Sequence, residues 1–542
     1  MRGAPDSGKT PLNRPYYATE TTLSSKLFRS GAIVSAMTLI SRLFGYLRDA
    51  VIAVIFGASG ATDAFVVAFR IPNLLRRLFA EGAFSLAFVP VLSEYKERRS
   101  REDMQALIDH VAGALTLILF LVTAVGILAA PWIINVFAAG FHFEDKPEQH
   151  ALATEMLRIT FPYILFISLT AFAGGILNSF GRFAIPAFTP VFLNLALIAC
   201  ALWLAPLMAD PITALAWGVF IAGVLQLAFQ LPFLWRLGLA PRPRVDFRFE
   251  GVRRILRLML PTLFGSSVAQ VNLLINTTIA SFFVTGSLTW LYLSDRFVEL
   301  PLALIGVAIG TVILPRLSQQ HAAESADGFN GTLDWALRLG VLVCIPAMAG
   351  LIVLAAPILF TLIQYGQFTR LDVDMAALSL MTYAAGLPAF ILVKLLAPGF
   401  YSRQDTATPV KIGITAMFAN MAFNALILTP WLLTDTPAPH AGLALATALA
   451  GFVNAGLLYV NLRRHGIYRP RPGWLATWSR TLAATAAMAA VLLALNPAAD
   501  QWEHMGGALR AAWLAGLIAA GALSYAAVLV ALGLRPADLT RD

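Results

Sequence analysis

Ionisable side chains are sparse in the long apolar runs of this 542-residue chain, and where they occur they cluster. One run carries Arg42, Arg48 and Asp49. The next begins at Asp63 and continues through Arg70, Asn73, Arg76, Arg77 and Glu81. Far along the chain a second group appears, Asp295, Arg296 and Glu299, and Lys394 stands alone in a further run. An ionised group at bilayer depth costs about 2.5–3.5 kcal/mol on insertion scales, so such residues face a wet interior and mark a ligand site or pathway. Seven cations stand against five acids in this set. A modest cationic surplus in a hydrated cavity suits an anionic ligand. The guanidinium fork matches phosphate oxygens in pairs, and Lys supplies a point charge. A diphosphate joining a sugar to a lipid would meet both requirements.

The competing reading is that these charges only bridge one another. Arg77 and Glu81 are spaced i, i+4, and Arg296 and Glu299 are spaced i, i+3, so each pair can meet on one helix face. Arg48 and Asp49 are adjacent, as are Asp295 and Arg296; neighbours point in different directions on a helix, so each is expected to find another partner. Arg76 and Arg77 could instead meet lipid headgroups. Asp49 and Glu299 read as residues that orient the arginines. Gly45 either loosens the first helix at mid-span for gating or permits close packing, and Gly57 could end that helix. Pro301 and Pro388 are kink candidates.

The elements that position these residues follow from composition. The chain is 58% hydrophobic and 13% charged. Apolar runs recur from Gly31 to the C-terminal region, each long enough for the roughly 20 residues that cross a hydrocarbon core of about 30 Å. The short alternating strands of a β-barrel, the other spanning solution, are missing. The fold class is an all-α polytopic membrane protein of about 14 transmembrane helices. The net charge of +9 points to topology rather than nucleic acid, because the cations sit mostly in loops. Alternate loops hold Lys96, Arg98, Arg99 and Arg101; Arg182; Arg242, Arg244, Arg248, Arg253 and Arg254; Arg403 and Lys411; and Arg463, Arg464, Arg469 and Arg471. The opposite loops hold chiefly Lys146 and Arg370, with acids such as Glu144, Asp145, Asp372 and Asp374. The positive-inside bias then places both termini in the cytoplasm. Residues 1–30 are polar, with no apolar core before a cleavage-like site, and read as a cytoplasmic segment with the first span directing insertion. Cys200 and Cys344 lie in apolar runs and read as small buried hydrophobes.

An internal repeat organises the spans. Pro90 in Phe88-Val89-Pro90-Val91-Leu92-Ser93 and Pro315 in Ile313-Leu314-Pro315-Arg316-Leu317-Ser318 lie 225 positions apart. Asn178-Ser179-Phe180-Gly181-Arg182 and Tyr401-Ser402-Arg403-Gln404-Asp405 are offset by 223. Two similar offsets argue for a duplicated six-helix unit, an N-lobe over 31–240 and a C-lobe over 250–465. Two further helices occupy 475–533. Both units start on the same side, so the pseudo-twofold axis runs along the membrane normal. Two such lobes commonly hold a substrate between them and rock to expose it alternately.

The run from Ser41 to Ser93 resembles the MurJ (MviN) family of lipid II flippases, within the multidrug/oligosaccharidyl-lipid/polysaccharide exporter superfamily. The resemblance rests on Ser41-Arg42, Gly45, Arg48-Asp49-Ala50, Phe56-Gly57-Ala58, Thr62-Asp63-Ala64-Phe65, Ile71-Pro72-Asn73-Leu74-Leu75-Arg76-Arg77 and Phe79-Ala80-Glu81-Gly82-Ala83-Phe84. A second match covers Ala397-Pro398-Gly399-Phe400-Tyr401-Ser402-Arg403-Gln404-Asp405, and similarity extends over about 24–465. It implies lipid II, an undecaprenyl-diphosphate-linked disaccharide-pentapeptide used in peptidoglycan and cell-wall synthesis, as the substrate moved from inner to outer leaflet of the bacterial inner membrane. It implies a cationic central cavity in which Arg42, Arg48, Arg76 and Arg296 match family positions important for transport, and Asp49, Asp63, Asn73, Glu81 and Glu299 match family polar positions. With these arginines, Ser41, Asn73 and, from its charge at membrane depth, Lys394 are the substrate-binding candidates. Asp49, Asp63, Glu81, Glu299 and Gly45 then orient or gate. The last two helices would shape a groove for the lipid tail. Some family members carry a sodium site built from acids on helices 7 and 11; here those cores offer Asn272, Asn276, Asn420 and Asn424 instead, which argues against sodium dependence. The partners implied are lipid II, membrane lipids and the cell-wall synthesis machinery. No cofactor or metal is expected, and return of the carrier would draw on membrane potential or an ion gradient.

Two other functions compete. A cation-coupled drug exporter on the same scaffold would favour an acidic, aromatic cavity. A membrane enzyme such as a polyprenyl-phosphate sugar transferase would need a paired-acid metal motif, a phosphate loop or a His cluster, none of which the sequence carries. The expectation is a transporter, not an enzyme.

Overall fold

The computed structural model describes residues 17–77, 84–433 and 438–534, and all regular structure among them is helical. In the first part of the chain lie α1 (Tyr17–Phe56), α2 (Gly60–Arg76), α3 (Ser85–Arg98), α4 (Arg101–Leu128), α5 (Ala130–Phe137), α6 (Ala139–Phe143), α7 (Pro147–Thr160), α8 (Tyr163–Ser179), α9 (Ala184–Phe188), α10 (Val191–Ala199) and α11 (Thr213–Leu237). The second part holds α12 (Glu250–Ser281), α13 (Ser287–Pro301), α14 (Ala308–Ala322), α15 (Ala326–Val353), α16 (Ala355–Leu362), α17 (Arg370–Ala385), α18 (Leu387–Tyr401), α19 (Ala407–Leu433) and α20 (Pro439–Arg464). Then come α21 (Trp474–Leu495), α22 (Ala499–His504) and α23 (Gly507–Ala531).

Several runs read as single helices are broken, and proline marks most of the breaks. Pro162 separates α7 from α8, and Pro388 stands in the first turn of α18 just after Gly386 ends α17. Pro301 is followed by a π-helical turn, Leu302–Val307, before α14 resumes. A proline removes an N–H and crowds the preceding turn, so the ladder is interrupted there. Ten helices or helix pairs are long and apolar enough to cross a membrane, fewer than the fourteen crossings expected. At 17 and 15 residues, α2 and α13 are too short for that test, and both carry the clustered charges. Large apolar side chains such as Leu128, Trp132, Trp203, Leu475 and Leu523 point outward, as a lipid-facing surface requires.

Several elements of the first part recur in the second at a near-constant offset. Both α4 and α15 have 28 residues and start 225 positions apart, at Arg101 and Ala326. Their eight-residue successors, α5 and α16, start at Ala130 and Ala355 with the same offset. Ser100 and Ser325, again 225 apart, cap α4 and α15 by accepting from the N–H of Asp103 and Gly328. Buried Asp109 and Asp334 occupy equivalent places about two turns further on. Asp109 accepts from Gln105 Nε2 at 2.7 Å and from the backbone N–H of Arg242, just beyond α11, at 2.9 Å. Asp334 accepts from Arg338 Nε, Tyr468 Oη and Trp474 Nε1 at 2.7, 2.6 and 2.8 Å and from the Arg471 N–H at 3.2 Å. Each aspartate thus ties the segment leaving its own repeat back onto the bundle. Asp334→Ala leaves four donors without their acceptor. We expect a loss of about 3 kcal/mol of stability, read as a lower melting temperature of the purified protein, with Asp334→Asn keeping part of it.

At the other end of the bundle Arg510 holds α22 and α23 in place. It is only 5% exposed, and its guanidinium donates to the carbonyls of Trp502, Glu503, Phe360 and Gln364 at 2.8–3.0 Å. Arg370 on the same end pairs with Asp374, Asp500 and Glu503. The basic loops gather at the end opposite Arg370: Lys96 donates to the Ser179 carbonyl, Arg101 to the Leu237 carbonyl, and Arg254 bridges Glu94 at 2.8 Å. Asp405, in a loop at this basic end, accepts hydrogen bonds from Thr408, which hold its carboxyl below the usual carboxylate range.

Candidate substrate cavity

Where α1 and α2 meet, Gly57 ends α1 with φ +62°, and Ser59 caps α2. A Cβ at Gly57 would approach the Gln367 carbonyl oxygen to 2.7 Å, so glycine meets both the backbone angle and the close approach. The first turn of α2 then presents Asp63 to the second repeat. Its carboxylate accepts from the N–H of Gly286 and Thr289 at 2.7 and 2.9 Å and from Thr289 Oγ1 at 2.7 Å. Asp63 is therefore the cap of α13, supplied from 223 residues away, where the free N–H groups and the helix dipole favour a carboxylate. The same end carries further bonds between the repeats: Gln367 N–H to the Val54 carbonyl at 2.9 Å, Gly140 N–H to Ser281 Oγ at 2.9 Å, and Lys146 Nζ to the Phe283 carbonyl at 2.7 Å. Phe65, Phe69, Leu288 and Leu291 pack in one core cluster beneath them. The end opposite the basic loops is closed.

Toward mid-bundle the repeats meet again at Asp49. Its Oδ1 accepts from Arg48 Nε and Nη2 at 2.9 and 2.7 Å and from Tyr292 Oη at 3.0 Å; its Oδ2 accepts from Arg296 Nε at 3.2 Å. Arg48 also donates to Tyr292 Oη at 2.9 Å and to Asn194 Oδ1 at 3.0 Å. Asn194 in turn donates to the Ser41 carbonyl, and Tyr46 Oη donates to the Arg296 carbonyl. Arg48 and Asp49 are 3% and 5% exposed, an enclosed pair in which each Arg48 nitrogen and each Asp49 oxygen has a partner. The expectation that adjacent Arg48 and Asp49 would point apart is corrected here, because the long arginine chain curls back along α1. Arg296 differs: its side chain is 30% exposed and its Nη1 donates to Glu299 Oε2 at 2.9 Å, the i, i+3 bridge that the spacing allows.

Beside this hub lies a cavity of about 360 Å³. Ser41, Arg42, Gly45, Asn73, Arg76, Arg77 and Arg296 line it, together with Arg48, Asp49, Arg70, Asp295 and Glu299. Six arginines and three carboxylates thus face one space drawn from both repeats. Arg76 Nε donates to Asn73 Oδ1 at 3.0 Å, and Arg70 Nη1 to Thr277 Oγ1 at 2.6 Å. Helix α1 runs unbroken through Gly45, so the glycine does not interrupt it; a Cβ there would lie 3.8 Å from Asn194 Nδ2 and 3.9 Å from Arg296 Nη2. Glu81 lies outside the described residues. Lys394 is not in this cavity but in an adjoining chamber. Tyr46, Asn194, Thr277 and Tyr292 were not singled out from sequence. Tyr292 stands four residues before Arg296, on its face, and Asn194 is a lone amide in an apolar run, so a search for uncharged polar residues in the spans would have found both.

The amides on α12 and α19 form their own cluster with α20. Asn424 Nδ2 donates to Asn276 Oδ1 and Asn420 Oδ1 at 3.1 and 3.2 Å, and Asn276 and Asn420 donate to Thr447 Oγ1. These side chains carry no charge and bond one another, so they do not fit a sodium site built from acids.

A family model described as lipid II flippase MurJ matches residues 52–510. A probable lipid II flippase MurJ of Vibrio cholerae serotype O1 is 46% identical over 525 residues, which covers 96% of this chain and 99% of that protein. The lipid II flippase MurJ of Burkholderia cenocepacia is 44% identical over 86% of this chain and 89% of its own. Among solved structures, a lipid II flippase MurJ in an inward closed conformation superposes with a TM-score of 0.77 at 27% identity, covering 94% of this chain and all of that one. An inward-facing multidrug resistance MATE transporter of the MOP superfamily shares the fold, with a TM-score of 0.65 at 14% identity over 80% of this chain. This all-helical, multi-pass membrane protein belongs to the MurJ family of lipid II flippases.

Proposed function

We propose that this chain moves lipid II from the inner to the outer leaflet of the bacterial inner membrane by alternating access, with the basic end and both termini in the cytoplasm. The observation that carries the reading is the six-arginine cavity between the two repeats, sealed at one end by Asp63. In this scheme the diphosphate enters the cavity and pairs with Arg42, Arg76 and Arg296, three of the six arginines that line the space. Ser41 and Asn73 offer hydrogen bonds beside them. Arg48 stays enclosed and holds Asp49, so its role is positional. A diphosphate on Arg296 competes with Glu299 and Asp49 for the same guanidinium. Binding therefore weakens the link between the repeats at Asp49, which couples occupancy to opening. The helices after residue 475 would give the polyprenyl tail a groove.

The alternative, export of organic cations, is disfavoured by the sign of the cavity, since a cationic drug would meet a surplus of guanidinium. Return of the empty carrier is assigned to the membrane potential, worth about 2.3 kcal/mol per charge per 100 mV. The test is depletion in living cells followed by measurement of lipid II in each leaflet. Loss of outward delivery, restored by this chain, is expected; delivery that continues unchanged would refute the assignment.

A further inference from the structure

The cation outside the arginine cavity points to a second half of the binding site. Lys394 lies within the span Arg370–Tyr401, yet its side chain is exposed to a chamber of about 440 Å³. Among the described residues lining that chamber it is the only cation, and none is a carboxylate. The remaining polar groups are neutral: Asn272, Tyr401, Thr447 and Asn454. The Oδ1 of Asn272 is buried and has no hydrogen-bond partner. An ammonium with no counter-ion, set at membrane depth among amides and hydroxyls, is costly unless a ligand completes it.

The two spaces share walls. Asn272 lines the chamber and its neighbour Leu273 lines the arginine cavity; Leu302 lines the chamber and Glu299, one turn earlier, lines the cavity. The wall between them includes the π-helical turn Leu302–Val307, a local unwinding of the kind found at functional sites. Gly306 in that turn leaves room beside the Lys394 stem, where a Cβ would lie 3.5 Å from Lys394 Cβ. A ligand whose diphosphate sits among the arginines therefore has a neighbouring compartment with a different chemistry: one point charge and several amide-type partners. That matches a peptide, whose amide groups find amide and hydroxyl partners and whose single carboxylate charge one ammonium meets.

We propose that this chamber receives the peptide of the substrate, with a peptide carboxylate on Lys394. The inference rests on the lipid II reading and adds a subsite to it. The test is equilibrium binding by the purified full chain in nanodiscs, with lipid II, lipid II whose peptide carboxylates are amidated, and undecaprenyl diphosphate as probes. Lys394→Gln is expected to weaken lipid II about tenfold while leaving undecaprenyl diphosphate unchanged. Amidation should weaken binding to the natural chain by the same factor and cost Lys394→Gln nothing further, and Lys394→Arg should retain lipid II. The amidation arm uses the unaltered protein and does not depend on any variant folding. Equal losses on amidation in both proteins, or equal weakening of both lipids by Lys394→Gln, would overturn the subsite alone. Failure of the natural chain to bind lipid II at all would overturn the flippase reading with it.

Discussion

Arg296→Ala is expected to cut lipid II delivery by about a hundredfold, the scale that follows from truncating a hydrogen-bonded charge pair. Arg296 lines the cavity and is the guanidinium whose ion pair with Asp49 joins the repeats, among the described residues. It reaches Asp49 with Nε and Glu299 with Nη1, at 3.2 and 2.9 Å, while its side chain stays 30% exposed. Alanine removes a phosphate partner and strands Glu299 in the same step. Lysine should rescue less than about a tenth of the loss, because a single ammonium cannot span two acids through separate nitrogens. Complementation of depleted cells, with the leaflet distribution of lipid II as readout, measures the effect. A melting temperature close to that of the natural chain shows that the defect is in transport. If Arg296→Lys transports normally, the bridging role assigned to the guanidinium fork is wrong.

Asp63→Ala should unseal the end opposite the basic loops. The carboxylate is 2% exposed and accepts three hydrogen bonds from the start of α13. Those bonds exist only while the repeats are together at that end, so they stabilise the sealed state against the opened one. Losing about 3 kcal/mol of this preference moves the equilibrium by about a hundredfold toward opening. Leu288, 1% exposed in the closed structure, gives a reporter: Leu288→Cys, with Cys200 and Cys344 replaced by alanine, labelled by a membrane-impermeant maleimide from that side. Labelling should accelerate by about that factor in Asp63→Ala, and by less in Asp63→Asn, whose amide oxygen can still accept from an N–H. An unchanged labelling rate would show that Asp63 is not the latch.

Much of this protein could be read from residue order because hydropathy and charge are local properties. Apolar runs declared helices in a membrane; the rare Arg, Asp and Glu within them declared a wet interior; and the 225-residue offset between Pro90 and Pro315 reappears in the bounds of α4 and α15 and in Asp109 and Asp334. Sequence also marked Arg42, Arg76 and Arg296, which the cavity brings together.

Tertiary structure decided which charges are available. Arg42 and Arg48 look alike in sequence, six residues apart on one helix, and both border the cavity, yet Arg48 is 3% exposed with its guanidinium bonded to Asp49, Asn194 and Tyr292. Two of those three partners, Asn194 and Tyr292, lie on other helices, α10 and α13, so no spacing rule along the chain could have paired them with Arg48. Asp63 likewise declared its cost by sitting in an apolar run, but its acceptor role on α13 depends on a helix start 223 positions away. Residue order determines that a charge is buried at membrane depth, because burial cost belongs to the residue itself. What that charge meets is settled only when the two repeats close on each other, because hydrogen-bond geometry is a property of distance in space.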